Sequence, residues 1–340
     1  PVLLRTFSVS TGAILLSASK AQAKDESAIA NIAKAITVRI EGATHGSGVL
    51  VKKEENRYTV LTSWHVLQDN LQGEEVANIT SDGKEHLWES KSLQRLGTVD
   101  MAVLTFTSKK NYQVATIGDI KSVSMGNQIF VAGFPLPSSA IPFSFLRFLD
   151  GKVIANASVS IPNGYQLLYS NPTLKGMSGG CVLDEQGNLV GIHGRAERDD
   201  QTSSSTGKSI ATRTNMAVPI TYYQQLVSGE KIVAATTKAT TADDYLAKAK
   251  ALLGEKGNEN EVIRLANKAL NFEERAIAYF YRAYAKDDLE DYKNAIEDYT
   301  KVIELDPIDA NSFFNRAISK ENLEDYNCLL YTSPSPRDLS

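Results

Sequence analysis

The sequence predicts two structural classes in one chain, an all-β domain followed by an all-α helical repeat array. From about residue 33 to 220, short apolar runs alternate with turn residues, as is typical of antiparallel strands. From residue 242, apolar and alanine residues recur at helical spacing and the segment repeats itself. The charge divides at the same point, because residues 1–241 hold 23 Lys and Arg against 20 Asp and Glu, whereas residues 242–327 hold 12 against 19. We therefore expect a multidomain protein.

The predicted strands are rich in Val, Ile, Leu and aromatic residues, and Gly, Asn, Asp and Pro fall between them. In chain order the apolar runs are ITVRIEG, GSGVLVKK, RYTVLTSWHVL, DMAVLTF, QIFVAGFP, GCVLDEQGNLVGIHG and NMAVPI. No helical pattern alternates with them, which argues against a parallel sheet. The β-domain is therefore one large sandwich or two packed barrels.

The first 23 residues have the features of a secretory signal peptide. Arg5 precedes a mostly apolar stretch of small residues, and the AQA sequence at 21–23 offers a cleavage site after Ala23. The alternative is a surface helix of the mature protein. We predict an exported protein, periplasmic or secreted. No other apolar run reaches the roughly 18–20 residues of a membrane span, so we expect no stable membrane insertion.

Composition argues against several other classes of protein. The formal net charge is −4 and no long basic run is present, so a nucleic-acid partner is not expected. The only cysteines, Cys181 and Cys328, lie in dissimilar surroundings and form no disulfide framework. The TGKS sequence at 206–209 has Thr202 where a phosphate loop needs its first glycine, so we interpret it as a polar loop. We expect no cofactor and no metal site.

Three polar residues stand where predicted strands meet loops. His65 ends one apolar run, Asp100 immediately precedes another, and Ser178 lies in the glycine-rich sequence LKGMSGGC. Each has an ordinary structural interpretation, as a packed or surface histidine, a turn aspartate and a hairpin serine. Together they supply a nucleophile, a base and an acceptor that fixes the tautomer of the base. The set therefore indicates nucleophilic catalysis.

The sequences TSWHVL, DMAVL and GMSGG are similar to the three motifs of trypsin-like serine peptidases, especially the bacterial members. The resemblance covers residues 33–228 and implies two packed six-stranded antiparallel barrels, with His65, Asp100 and Ser178 in the cleft between them. It also implies an oxyanion hole formed by the backbone N–H groups of Gly176 and Ser178. Met177 and Cys181 depart from the family pattern at positions that carry no chemistry.

The resemblance extends to the pocket for the residue before the scissile bond. Pro172 stands where trypsin has the aspartate that binds Lys or Arg, so a basic preference is not expected. Thr173 and His193, with Arg195 at the rim, are similar to the carboxylate-binding residues of bacterial glutamyl endopeptidases. A cationic His193 would favour Glu or Asp before the scissile bond. The alternative is that His193 is a packed strand residue and the pocket takes apolar or mixed side chains.

The C-terminal third repeats at an interval of 34 residues. Residues 278–294 return as residues 312–327, with matching arginine and tyrosine positions. This pattern resembles tetratricopeptide repeats and predicts about 2.5 copies within residues 242–327, after a linker at 229–241. Such arrays bind peptides or protein partners. Residues 328–340 break the pattern with two prolines, so we interpret them as a non-native tail.

The sequence thus predicts an exported serine endopeptidase that acts on protein or peptide substrates and docks a protein partner through its repeats. One alternative is an inactive protease-fold scaffold that serves as a binding module. Another treats the β-domain as a carbohydrate- or peptide-binding domain and the repeats as structural. The complete set of His65, Asp100 and Ser178 favours the enzyme, because a scaffold does not need all three.

Overall fold

A computed structural model describes residues 24–42, 44–68, 75–89, 91–139, 141–159, 161–195, 214–230 and 238–323. The predicted signal peptide, the TGKS sequence, most of the linker and the predicted tail lie outside these residues. Thirteen strands and seven helices are present in this part of the chain. None of the described helices is long and apolar enough to cross a membrane.

The first sheet contains seven antiparallel strands in the order β5-β4-β1-β2-β3-β7-β6. The strands are β1 (Thr37–Gly42), β2 (Gly46–Glu54), β3 (Arg57–Thr62), β4 (Val76–Ile79), β5 (Glu85–Leu87), β6 (Gln94–Arg95) and β7 (Ala102–Thr107). This sheet is a half-barrel rather than the expected closed six-stranded barrel, because the two edge strands are only two and three residues long. The Glu89 N–H bonds the Thr105 carbonyl in β7 at 2.8 Å and draws the open side together.

The second sheet is a closed six-stranded barrel, as expected, with the order β10-β13-β12-β11-β8-β9. Its strands are β8 (Gln128–Gly133), β9 (Arg147–Asn156), β10 (Leu167–Tyr169), β11 (Cys181–Leu183), β12 (Leu189–Arg195) and β13 (Asn215–Pro219). One cluster of buried side chains includes Val131, Val153, Leu167, Val190 and Ala217, one from each of five strands. Closure leaves the barrel without free strand edges, so it is a rigid support for the loops at its ends.

Two helices border the β-domain. Helix α1 (Glu26–Ile36) precedes β1, and its residues Ile29, Ala33 and Ile36 are buried against the barrels because they recur on one helical face. Helix α2 (Thr221–Ser228) follows β13 and buries Tyr222 and Tyr223. Helix α2 ends at Gly229, whose φ of 72° is the left-handed conformation typical of a helix C-terminus.

Within residues 238–323 the C-terminal array contains five helices, and each packs against the next. They are α3 (Ala242–Leu252), α4 (Glu259–Leu270), α5 (Ala276–Asp288), α6 (Tyr292–Leu305) and α7 (Ala310–Asn322). Buried alanine and aromatic side chains form the core of the array, among them Ala283 and Tyr299.

The array is docked on the second barrel through α3. Ala247 is completely buried within the same cluster as barrel residues. The Asp243 carboxylate accepts the Asn156 N–H at 2.6 Å and pairs with Arg275 at 2.5 Å. The buried Asp244 carboxylate accepts the Ser158 N–H at 2.7 Å. Asp243 and Asp244 thus accept hydrogen bonds from two backbone N–H groups at the end of β9, those of Asn156 and Ser158.

Candidate active site

His65 and Asp100 are joined by two hydrogen bonds at the edge of the first half-barrel. His65 lies in a short 3₁₀ turn (Trp64–Val66) after β3, and Asp100 lies just before β7. The His65 Nδ1 is 2.7 Å from Asp100 Oδ2, and the His65 backbone N–H donates to Oδ1 at 2.8 Å. The Asp100 side chain is 6% exposed and that of His65 is 35% exposed. The His65 imidazole is therefore accessible to a substrate, whereas the Asp100 carboxylate is shielded from solvent.

Tyr165 supplies a third hydrogen bond to Asp100, from the second barrel. Its hydroxyl donates to Asp100 Oδ2, the oxygen that also faces His65. Burial opposes ionisation of Asp100, but the hydrogen bonds from His65 and Tyr165 outweigh it and lower the pKa of the carboxyl. The sequence analysis missed Tyr165, although it stands in an NGYQ sequence before β10 where a loop enters the cleft.

Ser178 lies in the loop between β10 and β11, and its hydroxyl donates to the Gly194 carbonyl at 3.0 Å. Gly194 also packs against the Tyr165 ring, where a Cβ would lie 2.2 Å from Cε1. Ser178 is therefore brought to the same corner of the cleft as Asp100. Among the described residues no hydrogen bond joins Ser178 to His65. In unliganded serine hydrolases such a bond is often long or misaligned, and it tightens when substrate binds.

The backbone around Ser178 leaves two N–H groups free to bind an anion. In the part of the chain that the structure describes, neither the Gly176 N–H nor the Ser178 N–H has an acceptor. The carbonyl of the peptide before Gly176 accepts from the Leu136 N–H at 2.8 Å, and the carbonyl before Ser178 accepts from the Gly180 N–H at 2.9 Å. Because the N–H of a trans peptide points away from its carbonyl, the Gly176 N–H points away from Leu136 and the Ser178 N–H points away from Gly180.

Gly176 is required by this geometry. Its φ is 97°, which side-chain-bearing residues rarely adopt, and a Cβ would lie 2.5 Å from the Leu136 nitrogen. The glycine noted in the sequence therefore permits both a left-handed turn and a close approach to the neighbouring loop.

Thr173 and His193, which were expected in the specificity pocket, are both buried, and each forms a hydrogen bond with another buried side chain. The Thr173 hydroxyl is 2.9 Å from Asn215 Oδ1, and the His193 Nδ1 is 2.5 Å from the Tyr169 hydroxyl. His193 Nε2 is buried with no hydrogen-bond partner among the described residues. The side chain of Arg195 lies outside the described residues.

Burial changes what His193 can do. Burial, with a smaller contribution from the charge of His65, lowers the pKa of His193 to about 3. The imidazole is therefore neutral near pH 7 in the unliganded pocket, and a cationic His193 beside a bound substrate carboxylate stays a prediction. A neutral imidazole that accepts a hydrogen bond from the Tyr169 hydroxyl at Nδ1 carries its own proton at Nε2.

No group of three or more His, Cys, Asp and Glu side chains within the described ranges is arranged to hold a metal ion. A base oriented by a carboxylate, an adjacent hydroxyl and two free N–H groups suit acyl transfer through an oxyanion.

Comparisons with known proteins agree with this architecture. The trypsin-like peptidase domain family matches residues 46–192, and the tetratricopeptide repeat family matches residues 276–309, which correspond to α5 and α6. The serine protease Do-like HtrA of Lactobacillus helveticus is 26% identical over 197 residues, which are 57% of this chain and 46% of that protein. The serine protease HtrA-like protein of Staphylococcus haemolyticus is 30% identical over 162 residues, which are 43% of this chain and 23% of that protein.

Among solved structures, the HtrA-type protease AlgW with a tripeptide aligns at a TM-score of 0.46 and 20% identity over 61% of this chain and 63% of that chain. The same protease with a decapeptide has a TM-score of 0.45 and 18% identity over 61% of this chain and 67% of that chain. The chain spans less than half the length of the two curated relatives. From the family matches and the fold, the chain contains a trypsin-like peptidase domain followed by a tetratricopeptide repeat.

Proposed function

We propose that the protein is a serine endopeptidase that hydrolyses peptide bonds through Ser178, His65 and Asp100. The observation that carries the proposal is the pairing of His65 with a buried Asp100, together with a serine loop in which the N–H groups of Gly176 and Ser178 have no acceptor among the described residues. The two HtrA relatives are named serine proteases, which supports the same chemistry.

In the proposed mechanism His65 Nε2 takes the proton of Ser178 Oγ as that oxygen attacks the carbonyl carbon of the scissile bond. The Ser178 hydroxyl first exchanges its hydrogen bond to the Gly194 carbonyl for one to His65. The Gly176 and Ser178 N–H groups bind the oxyanion of the tetrahedral intermediate. Asp100 holds Nδ1–H and stabilises the imidazolium, which then protonates the leaving amine. Water hydrolyses the acyl-enzyme by the same steps in reverse.

For specificity we propose a preference for Glu or Asp before the scissile bond. His193 supports it, since an Nε2–H is a donor to a side-chain oxygen. Thr173 supports it if its hydroxyl exchanges the hydrogen bond that it donates to Asn215 Oδ1 for one to the substrate. Because His193 is neutral in the unliganded pocket, the carboxylate must itself raise the pKa of the imidazole, or bind without a cation. The test is a peptide library cleaved by the wild type and by His193→Val. A preference for apolar or basic residues, or a Glu preference that survives His193→Val, would contradict the proposal.

We propose that the helical array docks a protein partner or substrate. We also propose that the protein is exported and that its signal peptide is cleaved after Ala23. The acidic balance of residues 242–327 suits a basic ligand and an association rate that falls with salt. Export is tested by fractionating cells and sequencing the amino terminus of the mature protein, which is expected to begin at Lys24.

Labelling with a fluorophosphonate probe tests the catalytic proposal. We expect the wild type to be labelled and Ser178→Ala to be unlabelled, whereas the control Ser124→Ala, at an exposed serine outside the cleft, is labelled like the wild type. The second candidate is an inactive protease-fold scaffold that serves as a binding module. An unlabelled wild type would support that candidate, and labelling that survives Ser178→Ala would assign the reactivity to another residue.

A further inference from the structure

Ser47 contacts the nucleophile loop from the opposite barrel. It is the second residue of β2 in the first half-barrel and is completely buried. Its backbone N–H donates to the Ser178 carbonyl at 2.8 Å, and its hydroxyl lies 3.2 Å from the Gly176 carbonyl. One residue thus holds a carbonyl on each side of Met177, the residue between the two proposed oxyanion donors.

The direction of each hydrogen bond at the Ser47 hydroxyl is determined by its partners. The Phe134 N–H lies 2.8 Å from Ser47 Oγ and can only donate. The single hydroxyl proton of Ser47 is therefore left for the Gly176 carbonyl, which can only accept. The hydroxyl is both donor and acceptor, and it links the loop after β8 to the nucleophile loop.

The two peptide groups that flank Gly176 are fixed by this arrangement. The peptide after Gly176 is held by Ser47, and the peptide before it is held by the Leu136 N–H. Leu136 is two residues beyond Phe134, so the segment that orients the Gly176 N–H is itself anchored on Ser47. Loss of the hydroxyl removes a direct support for one peptide and an indirect support for the other.

Two glycines, Gly133 and Gly179, allow the backbone to approach Ser47 closely. A Cβ at Gly133 would lie 2.9 Å from Ser47 Oγ, and a Cβ at Gly179 would lie 2.0 Å from the Ser47 carbonyl oxygen. That carbonyl also accepts the Thr62 hydroxyl at 2.7 Å. Ser47 is completely buried, so removal of its hydroxyl takes away the hydrogen-bond partner of both the Phe134 N–H and the Gly176 carbonyl.

We propose that Ser47 is a positioning residue of the oxyanion hole, whose hydroxyl holds the Gly176 N–H in the orientation that binds the tetrahedral intermediate. The proposal rests on the proposed peptidase function. Ser47 does not touch the substrate, and it acts through Gly176 and through the loop after β8. Its contribution therefore appears in the transition state, where the oxyanion forms, and not in binding of the ground state.

Steady-state kinetics with a chromogenic peptide substrate test the proposal. We expect Ser47→Ala to lower kcat by roughly 10- to 100-fold with little change in KM, a loss somewhat smaller than that for direct removal of an oxyanion donor. A peptide boronate, which forms a tetrahedral adduct with the serine, is expected to bind more weakly by the same factor. The matched control is Thr37→Val, which removes another buried hydroxyl of the domain, bonded to Cys181 Sγ at 3.4 Å. This control is expected to keep wild-type kcat.

Thermal unfolding shows whether each variant is folded at the assay temperature. Should Ser47→Ala fail to fold, Ser47→Cys keeps the volume and a weak donor, and an intermediate loss of kcat is expected there. A folded Ser47→Ala with wild-type kcat, a rise in KM alone, or an equal loss in Thr37→Val would overturn the proposal. A wild type that reacts with neither fluorophosphonate nor substrate would instead show that the proposed function has failed, and the role of Ser47 with it.

Discussion

Asp244 is expected to be the strongest single link between the array and the second barrel. Its carboxylate is buried and accepts N–H groups from Ser158 at 2.7 Å, Thr240 at 2.9 Å and Thr241 at 3.1 Å. In Asp244→Ala these three donors lose their acceptor. Each buried unsatisfied donor costs about 1–3 kcal/mol, and the three residues lie at the surface where water can reach them. We therefore take the low end of that range and expect a loss of about 3 kcal/mol.

Urea unfolding followed by two signals measures this loss. Far-ultraviolet circular dichroism reports mainly on the helices, whereas the two tryptophans, Trp64 and Trp88, report on the first half-barrel. With a slope of about 2 kcal/mol per molar urea, the helical midpoint should fall by about 1.5 M, and the tryptophan midpoint by less. The control is Asp309→Ala, which removes the acceptor of the Ser312 N–H at the start of α7 and is expected to cost about 1 kcal/mol.

The same carboxylate gives a pH test. Burial opposes its ionisation, but the hydrogen bonds from Thr240 and Ser158 outweigh it and lower the pKa of Asp244 in the folded protein. Its stabilisation is therefore fully present above the unfolded pKa, about 3.9, and is lost as the pH falls through the lower folded value. A midpoint change below about 0.3 M, or an equal change in the Asp309→Ala control, would refute the assignment of Asp244 as the main link.

Two further predictions concern the catalytic groups. Asp100→Asn should fold normally yet lose about 10⁴-fold in kcat, because the imidazole then adopts the wrong tautomer, and full activity would mean that another group orients His65. Gly176→Ala should lose at least about 10²-fold in kcat, because its Cβ collides with the Leu136 nitrogen and displaces an oxyanion donor. Gly126→Ala, at a φ of 82° in open space, is the matched control and should keep wild-type kcat.

The sequence predicted the parts of the site that follow local rules. His65, Asp100 and Ser178 lie at strand ends, as their positions beside apolar runs indicated, and the barrel of the second sheet follows from its alternating runs. The 34-residue repeat predicted paired helices because its period is long enough to recognise. Helix α1 was missed although Ile29, Ala33 and Ile36 show helical spacing, since the segment is short and adjoins the predicted signal peptide.

The contacts between distant segments could not be predicted in this way. Tyr165 and Ser47 meet residues that lie 65 and 129 positions away, and no local pattern marks either as part of the site. The neutral state of His193 depends on complete burial beside Tyr169, which the motif alone does not reveal. The docking of α3 on β9 depends on two aspartate carboxylates whose partners are backbone amides, and such donors are present in every sequence.

The docking contact and the proposed catalytic carboxylate are connected by one short segment. Ser158, which donates to Asp244, is followed by Asn163, whose carbonyl accepts the Asp100 N–H at 2.8 Å, and by Tyr165, whose hydroxyl reaches the Asp100 carboxylate. Anchoring of the segment by the array should therefore help to place Tyr165. We expect Tyr165→Phe to lower kcat by roughly 10-fold, in line with loss of one hydrogen bond to a charged group, and Asp244→Ala to lower it less.

A double-mutant cycle of these two substitutions tests the connection. Because both act on Asp100 through the same segment, the double variant should lose less in kcat than the product of the single losses. Tyr165→Phe combined with Asp309→Ala, which lies in the array but away from the barrel, should give a simple product. Multiplicative losses in both cycles would mean that the array is docked on the second barrel without influence on the catalytic carboxylate.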